Sequence, residues 1–137
     1  SMLQQAGALH VAGDQHLGYV AQYAVNEHGD GTYVFCTPPI ANTWPRRWMP
    51  KDKEVTGHHV DGFGNKVTVH AVSNPHQYQQ EPAALHDRAP GWGYILCDPI
   101  NRTVTIEAWP RFAEPNADDS LQYDGWPIVL EEMGNKN

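Results

Sequence analysis

The fold follows most directly from residues 93–108, GYILCDPINRTVTIEA. Two apolar runs, 93–97 and 103–108, flank five residues with turn chemistry, 98–102. In the second run, Val104, Ile106 and Ala108 alternate with polar or charged residues. This alternation is typical of an antiparallel strand with one face in the core and one in water. The segment therefore predicts a β-hairpin in a half-buried sheet.

The rest of the chain repeats short apolar runs separated by turns, and Val67, Val69 and Ala71 are expected to share one core face. Twelve glycines and 11 prolines leave little room for helix beyond a turn or two at 81–87. We predict a mainly β chain: an antiparallel β-sandwich or one sheet layer of a larger fold, with long irregular loops. The predicted strands are 9–12, 19–25, 32–36, 66–71 and 128–130, and the long loops are 38–57, 73–90 and 111–126.

Composition limits the class of protein. Ser1-Met2 resembles a cloning remnant, so we expect one β-rich domain over residues 3–137. The formal net charge of -7 gives no basic face for nucleic acid. No apolar run reaches the roughly 20 residues of a membrane-spanning helix. We therefore predict a partner that is neither nucleic acid nor a lipid bilayer.

The cysteines and most histidines give weaker signals. Cys36 and Cys97 each end an apolar run, so they either pair across strands or remain two buried thiols. The absence of a Cys-x-x-Cys motif argues against structural zinc. His58 and His59 lie in a glycine-bounded stretch and are expected to be solvated loop residues.

One short motif carries candidate chemistry. Gly13-Asp14-Gln15-His16 directly follows an apolar strand, where a carboxylate and an imidazole two residues apart can point at one metal ion. Oxygen and nitrogen ligands together suit iron, zinc or manganese better than calcium alone. The alternative is that Asp14 caps a turn and His16 is an ordinary surface histidine.

This motif resembles the last metal-binding motif of calcineurin-like metallophosphoesterases, in the Gly-Asp-x-His form of alkaline-phosphatase-D-like proteins. The resemblance implies two metal ions (Fe, Ca, Mn or Zn) that share a bridging hydroxide, a phosphate ester substrate, and a periplasmic or extracellular location. It makes Asp14 and His16 metal ligands. Arg46 and Arg47 are candidates to contact an anion or the substrate, because arginine donors suit phosphate or sulfate, and their convergence on Asp14 and His16 would favour the phosphatase interpretation. The likeness extends to residues 35–48, 61–65, 71–75, 91–94, 106–111 and 125–127.

The departures from the family pattern matter equally. In the family, earlier Asp-x-His, Gly-Asp and Gly-Asn-His-Glu/Asp motifs supply the other ligands, and residues 1–12, which precede the Gly13 motif here, contain none of them. We therefore expect the chain to be the C-terminal part of a larger metallophosphatase-like protein, with the N-terminal catalytic part as its partner. Alone it is predicted to be inactive as a phosphatase, and homo-oligomers that cover an exposed sheet edge are a further expectation.

A second interpretation comes from the tryptophans. Trp44, Trp109 and Trp126 each precede a proline, and arginines lie nearby in sequence. Such rings either cover the core at strand ends or form a platform for sugar rings. The second possibility describes a non-catalytic carbohydrate-binding or interaction β-sandwich module.

Overall fold

The computed structural model describes residues 2–13, 15–41, 46–50, 54–74, 90–114, 118–131 and 133. Over these residues the chain forms eight β-strands, a short helix α1 before the first strand, and one 3-10 turn between the last two strands. The bounds are α1 Met2–Gln5, β1 His10–Ala12, β2 Tyr19–Tyr23, β3 Tyr33–Cys36, β4 Gly57–Val60, β5 Lys66–Val72, β6 Gly91–Asp98, β7 Thr103–Pro110, the 3-10 turn Asp119–Leu121, and β8 Ile128–Leu130.

The strands form two sheets. The first sheet has the order β1-β3-β2-β5-β4, and the second sheet has the order β6-β7-β8. All neighbouring pairs are antiparallel except β1 and β3, which are parallel. The predicted 93–108 hairpin is confirmed, with all eight residues of β6 paired to β7. The prediction of a mainly β, mainly antiparallel chain is therefore confirmed.

The main core lies between the two sheets. Phe35 is fully buried in it, and its ring centroid lies 5.9 Å from that of Trp126. Gly93 lets β6 pack closely against the Phe35 ring, because a Cβ atom at residue 93 would lie only 2.5 Å from Phe35 Cζ. The other buried members of the core are Val20, Ala71, Val104, Ile106, Ala108, Tyr123 and Leu130.

A β-bulge divides the packing of the first sheet. Ala21 pairs with Val69 on β5, whereas the preceding Val20 pairs with Ala71, so His70 is the extra residue. Val67, Val69 and Ala71 are all buried, as predicted, but the prediction that they share one face is wrong. Ala71 joins the core between the sheets, while Val67 and Val69 belong to a second cluster on the opposite face.

The sequence missed one strand, β4. Residues 57–60 were expected to form a loop, but they pair with β5 through the turn 61–65, and His59 is buried. The expectation that His58 and His59 are both solvated loop residues is therefore wrong. Alternating sides of a strand explain why His58 is exposed while its neighbour is not. The helical turn expected at 81–87 lies outside the described residues.

Two further expectations concern the cysteines and the membrane. The cysteines do not form a disulfide with each other, since Cys36 lies on β3 of the first sheet and Cys97 on β6 of the second. Cys36 is buried, but Cys97 is exposed, so the alternative of two buried thiols is correct for Cys36 and wrong for Cys97. In the described part of the chain, no helix has the length and apolar character needed to cross a bilayer.

Candidate functional site

A cavity of about 260 Å³ lies on the face of the first sheet that is turned away from the second sheet. Its floor is the second apolar cluster, which contains Leu17, Ala21, Val67, Val69 and Val72. The remaining lining residues are polar or aromatic and come from three separate segments of the chain. They are Gln15, Tyr19, Tyr23, Arg46, Arg47, Trp48, His59 and Asp61.

The turn after β1 is anchored at its C-terminal end. Gly18 N–H donates to Ser73 Oγ at 2.8 Å, and Gly18 O accepts from Ser73 N–H at 2.8 Å and from Ser73 Oγ at 3.2 Å. Ser73 is fully buried, and a Cβ at residue 18 would lie 2.7 Å from both Pro38 Cγ and Ser73 Oγ. The glycine and the serine together therefore fix where the 13–16 motif leaves the sheet.

The motif itself is only partly described. Asp14 lies outside the described residues. His16 is half-buried and has a φ of 59°, a left-handed conformation that is uncommon for a residue other than glycine. Gln15, which separates the two predicted ligands, lines the cavity together with Arg46 and Arg47. Among the described residues of the motif, only Gln15 lines the cavity with the predicted substrate-contact arginines, whereas His16 does not line it.

Trp48 forms a fixed wall of the cavity. Its backbone N–H donates to Asn74 Oδ1 and its carbonyl accepts from Asn74 Nδ2, both at 2.9 Å. Its indole Nε1 donates to the Val55 carbonyl at 3.0 Å. The ring meets His59 edge-on, with 5.4 Å between ring centroids and 85° between planes. These contacts hold backbone and ring together, so the wall is formed before any ligand arrives.

His59 is the polar group at the base of this wall. It is 4% exposed, and its Nε2 is buried without a hydrogen-bond partner. Its carbonyl accepts from His28 Nε2 at 2.9 Å, which ties β4 to the β2–β3 turn. A buried ring nitrogen that lacks a partner is uncommon in folded proteins and costs free energy. This nitrogen is therefore the least satisfied group among the described residues that line the cavity.

Charge at the cavity is dominated by the arginines. The Asp61 carboxylate also lines it, but accepts hydrogen bonds from the N–H groups of Phe63 and Asn65 and from Asn65 Nδ2, at 2.8–2.9 Å. These bonds hold the pKa of Asp61 below its usual range, so it remains a turn-forming anion. Burial, with Tyr23 and Cys36 nearby, raises the pKa of Tyr19 to about 12, which keeps its hydroxyl protonated.

Within the described residues, no three His, Cys, Asp or Glu side chains are close enough together to hold a metal ion. His16 is the only residue of the predicted ligand pair whose position is described. A stable binuclear centre needs more ligands than a single imidazole. The described part of the chain does not assemble such a centre by itself.

Two of the three tryptophans predicted as a sugar platform, Trp109 and Trp126, are buried. Trp109 is 3% exposed; its ring stacks on Trp92 at 5.3 Å and 8°, and its Nε1 donates to Glu107 Oε2 at 2.8 Å. Trp126 is 8% exposed and packs between the sheets. Neither ring offers an open face to a pyranose. Trp44 lies outside the described residues.

Three contributors to the cavity were not identified from sequence. Trp48 and Asn74 occur within stretches noted only for their likeness to a family, and His59 was assigned to a solvated loop. A signal for His59 does exist, since Gly57 to Val60 precedes a glycine-rich turn and the next strand, as the first arm of a hairpin does. Only the pairing of β4 with β5 places the imidazole against the sheet.

Comparison with known proteins identifies no relative. No protein-family model matches the chain, no curated protein matches its sequence, and no solved structure matches its fold.

Proposed function

We propose that this chain is the C-terminal domain of a metal-dependent phosphoesterase of the alkaline-phosphatase-D-like type. In this proposal Asp14 and His16 contribute ligands to a binuclear metal centre that is completed by another part of the parent protein. Arg46 and Arg47 contact the anionic group of a phosphate ester. The chain alone carries no phosphatase activity.

The single observation that supports this proposal most is the convergence at the cavity. Gln15 lies between the two proposed ligands in the sequence, and it lines the same cavity as Arg46 and Arg47. Arginine guanidinium groups present a planar set of donors that matches phosphate oxygens. A metal motif beside an arginine pair is an arrangement suited to phosphate chemistry, whereas a simple structural turn has no need of one.

The local structure also suits a ligand-bearing turn. The motif follows the end of β1, and the Gly18–Ser73 hydrogen bonds hold its far end at 2.8 Å. His16 therefore lies between two fixed points. When bound, a pair of metal ions would supply a hydroxide nucleophile and neutralise charge on the phosphoryl oxygens. The contribution of this chain would be to position the imidazole and to bind the substrate anion.

The test uses the parent protein, which in this proposal is a longer chain with residues 3–137 at its C-terminal end. Metal-dependent hydrolysis of a generic phosphate ester is measured for the wild type and for His16→Ala. Loss of a group that only orients a metal ligand costs about 10–100-fold, so loss of the ligand itself is expected to cost at least about 100-fold. His10→Ala is the matched control, because His10 is exposed on β1 and does not line the cavity.

Three results would contradict the proposal. One is full activity in the His16→Ala parent, which would remove the imidazole from the metal centre. Another is metal-dependent turnover by the 137-residue chain alone, because the proposal assigns the remaining ligands to a different part of the protein. A coding sequence that starts at Leu3 would also refute it.

A further inference from the structure

The cavity beside Trp48 has the composition of a small-molecule site. At about 260 Å³ it lies just below the usual range for ligand pockets, roughly 300–1,000 Å³, so it suits only a small ligand with about one ring. Its walls are mostly apolar or aromatic, and a few polar groups enter from separate segments. This is the usual make-up of sites that take up the apolar body of a ligand and orient it by a small number of polar contacts.

Preformed walls distinguish this cavity from loose packing. Asn74 holds the backbone of Trp48 from both sides, and the indole N–H is bonded to the Val55 carbonyl. The floor of the cavity is the sheet itself, where Val67 and Val69 are buried on β5. Rigid walls spare a ligand the cost of ordering them, which raises the affinity for a small molecule.

One residue that lines the cavity carries an unsatisfied polar atom. Among the described lining residues, His59 alone has a buried side-chain atom, Nε2, without a hydrogen-bond partner. His59 is only 4% exposed, so its nitrogen has little access to bulk water. Nε2 is closed to water in this state, so a hydrogen bond to a ligand in the cavity would require the His59 ring to turn, and that bond would remove the deficit.

The charge of the lining points to an anion. Arg46 and Arg47 supply two positive charges to the lining, and Asp61, whose oxygens accept bonds from the 61–65 turn, supplies one negative charge. We propose that this cavity binds a small aromatic anion, that is, a single ring that carries a carboxylate or a phosphate group. The ring lies between the sheet and Trp48, His59 forms a hydrogen bond with the ligand, and Arg46 contacts its anionic group. This inference rests on the cavity and does not require the metal chemistry proposed above.

The test titrates the metal-free 137-residue chain with four probes by two-dimensional NMR. Phenyl phosphate and benzoate combine a ring with an anion, while inorganic phosphate and benzyl alcohol each have only one of the two. We expect both aromatic anions to shift the indole N–H signal of Trp48 and the ring signals of His59. For ligands of this size the dissociation constant is expected on the order of 1 mM. The tighter of the two identifies the preferred anionic group.

Paired variants separate the contributions of charge and of the imidazole. Arg46→Gln is expected to weaken both aromatic anions about tenfold and to leave benzyl alcohol unchanged. Arg111→Gln is the matched control, because Arg111 is exposed and does not line the cavity. His59→Leu is expected to weaken the aromatic probes by a similar factor. Should His59→Leu fail to fold, the arginine pair still decides the question.

Several outcomes would overturn the inference. These are no shift at Trp48 or His59 with either aromatic anion, equal weakening by Arg46→Gln and Arg111→Gln, or inorganic phosphate binding as tightly as phenyl phosphate. Benzyl alcohol binding as tightly as the anions would also overturn it. Inactivity of the parent phosphoesterase would leave these titrations unaffected, so failure of the proposed function and failure of this inference are distinguishable.

Discussion

Replacement of Gly93 by alanine tests how the two sheets pack together. The new Cβ would lie 2.5 Å from Cζ and 3.0 Å from Cε1 of Phe35, whose ring is fully buried and cannot swing into solvent. Overpacking of this kind costs about 1–3 kcal/mol. Alanine also suits a strand better than glycine, an effect of at most about 1 kcal/mol in the opposite direction. We expect a net loss of stability, measured as a urea midpoint lowered by roughly 1 M.

A control and a second-site change make this prediction specific. Gly62→Ala places a Cβ where no atom lies within 4 Å, and Gly62 does not have a positive φ, so its stability should match the wild type. Phe35→Leu shortens the side chain that Gly93→Ala meets. The double variant should therefore lose less than the sum of the single losses, by about 0.5–3 kcal/mol. Additive losses, or a Gly93→Ala chain as stable as Gly62→Ala, would refute the proposed contact between Phe35 and β6.

Three further predictions concern the site and the thiols. Ser73→Ala leaves the Gly18 N–H without its side-chain acceptor and should lower the free energy of unfolding by about 1–3 kcal/mol in thermal melts; an unchanged melting temperature would contradict the anchor. Because burial raises the pKa of Tyr19 from 10.0 to about 12, the native state keeps a proton that the unfolded state loses, so stability falls as pH rises through this window. Tyr19→Phe should flatten that fall in unfolding curves recorded across the window, and an identical slope would argue against it. A thiol reagent should modify Cys97 in the native chain and Cys36 only after unfolding, and equal rates would contradict the burial of Cys36.

The strands with a clear hydrophobic pattern could be predicted from sequence, and their partners could not. Residues 103–108 alternate in the sequence and alternate in burial, since local geometry alone sets the two faces of a strand. The parallel pairing of β1 with β3 carries no such local signal. In the sheet, β2 lies between β3 and β5, so β1 is left to pair with the other edge of β3. This arrangement is a property of the whole sheet.

The site was predictable only in part, for a related reason. Arg46 and Arg47 were identified by residue type, and the structure places them at a cavity. His59 and Asn74 were not identified, because their importance lies in contacts to Trp48 across 11 and 26 residues of sequence. A hydrogen bond between distant segments leaves no periodic pattern. Residue type alone can therefore suggest a charged side chain as a candidate for binding. A side chain that positions another residue can be recognised only once the fold is known.

The bulge at His70 explains how one sheet can supply both a core and a cavity. Without the extra residue, Val67, Val69 and Ala71 would point to the same face, and the opposite face of β5 would carry Lys66, Thr68, His70 and Val72, of which only Val72 is apolar. With it, Ala71 packs against the second sheet while Val67, Val69 and Val72 provide an apolar floor on the other side. A sheet with two apolar faces must have both covered. The second sheet covers one, and on the other Trp48 covers part of the floor and leaves the cavity open. The bulge at His70 makes the prediction from simple alternation wrong, and it also creates the apolar surface on which a ligand can bind.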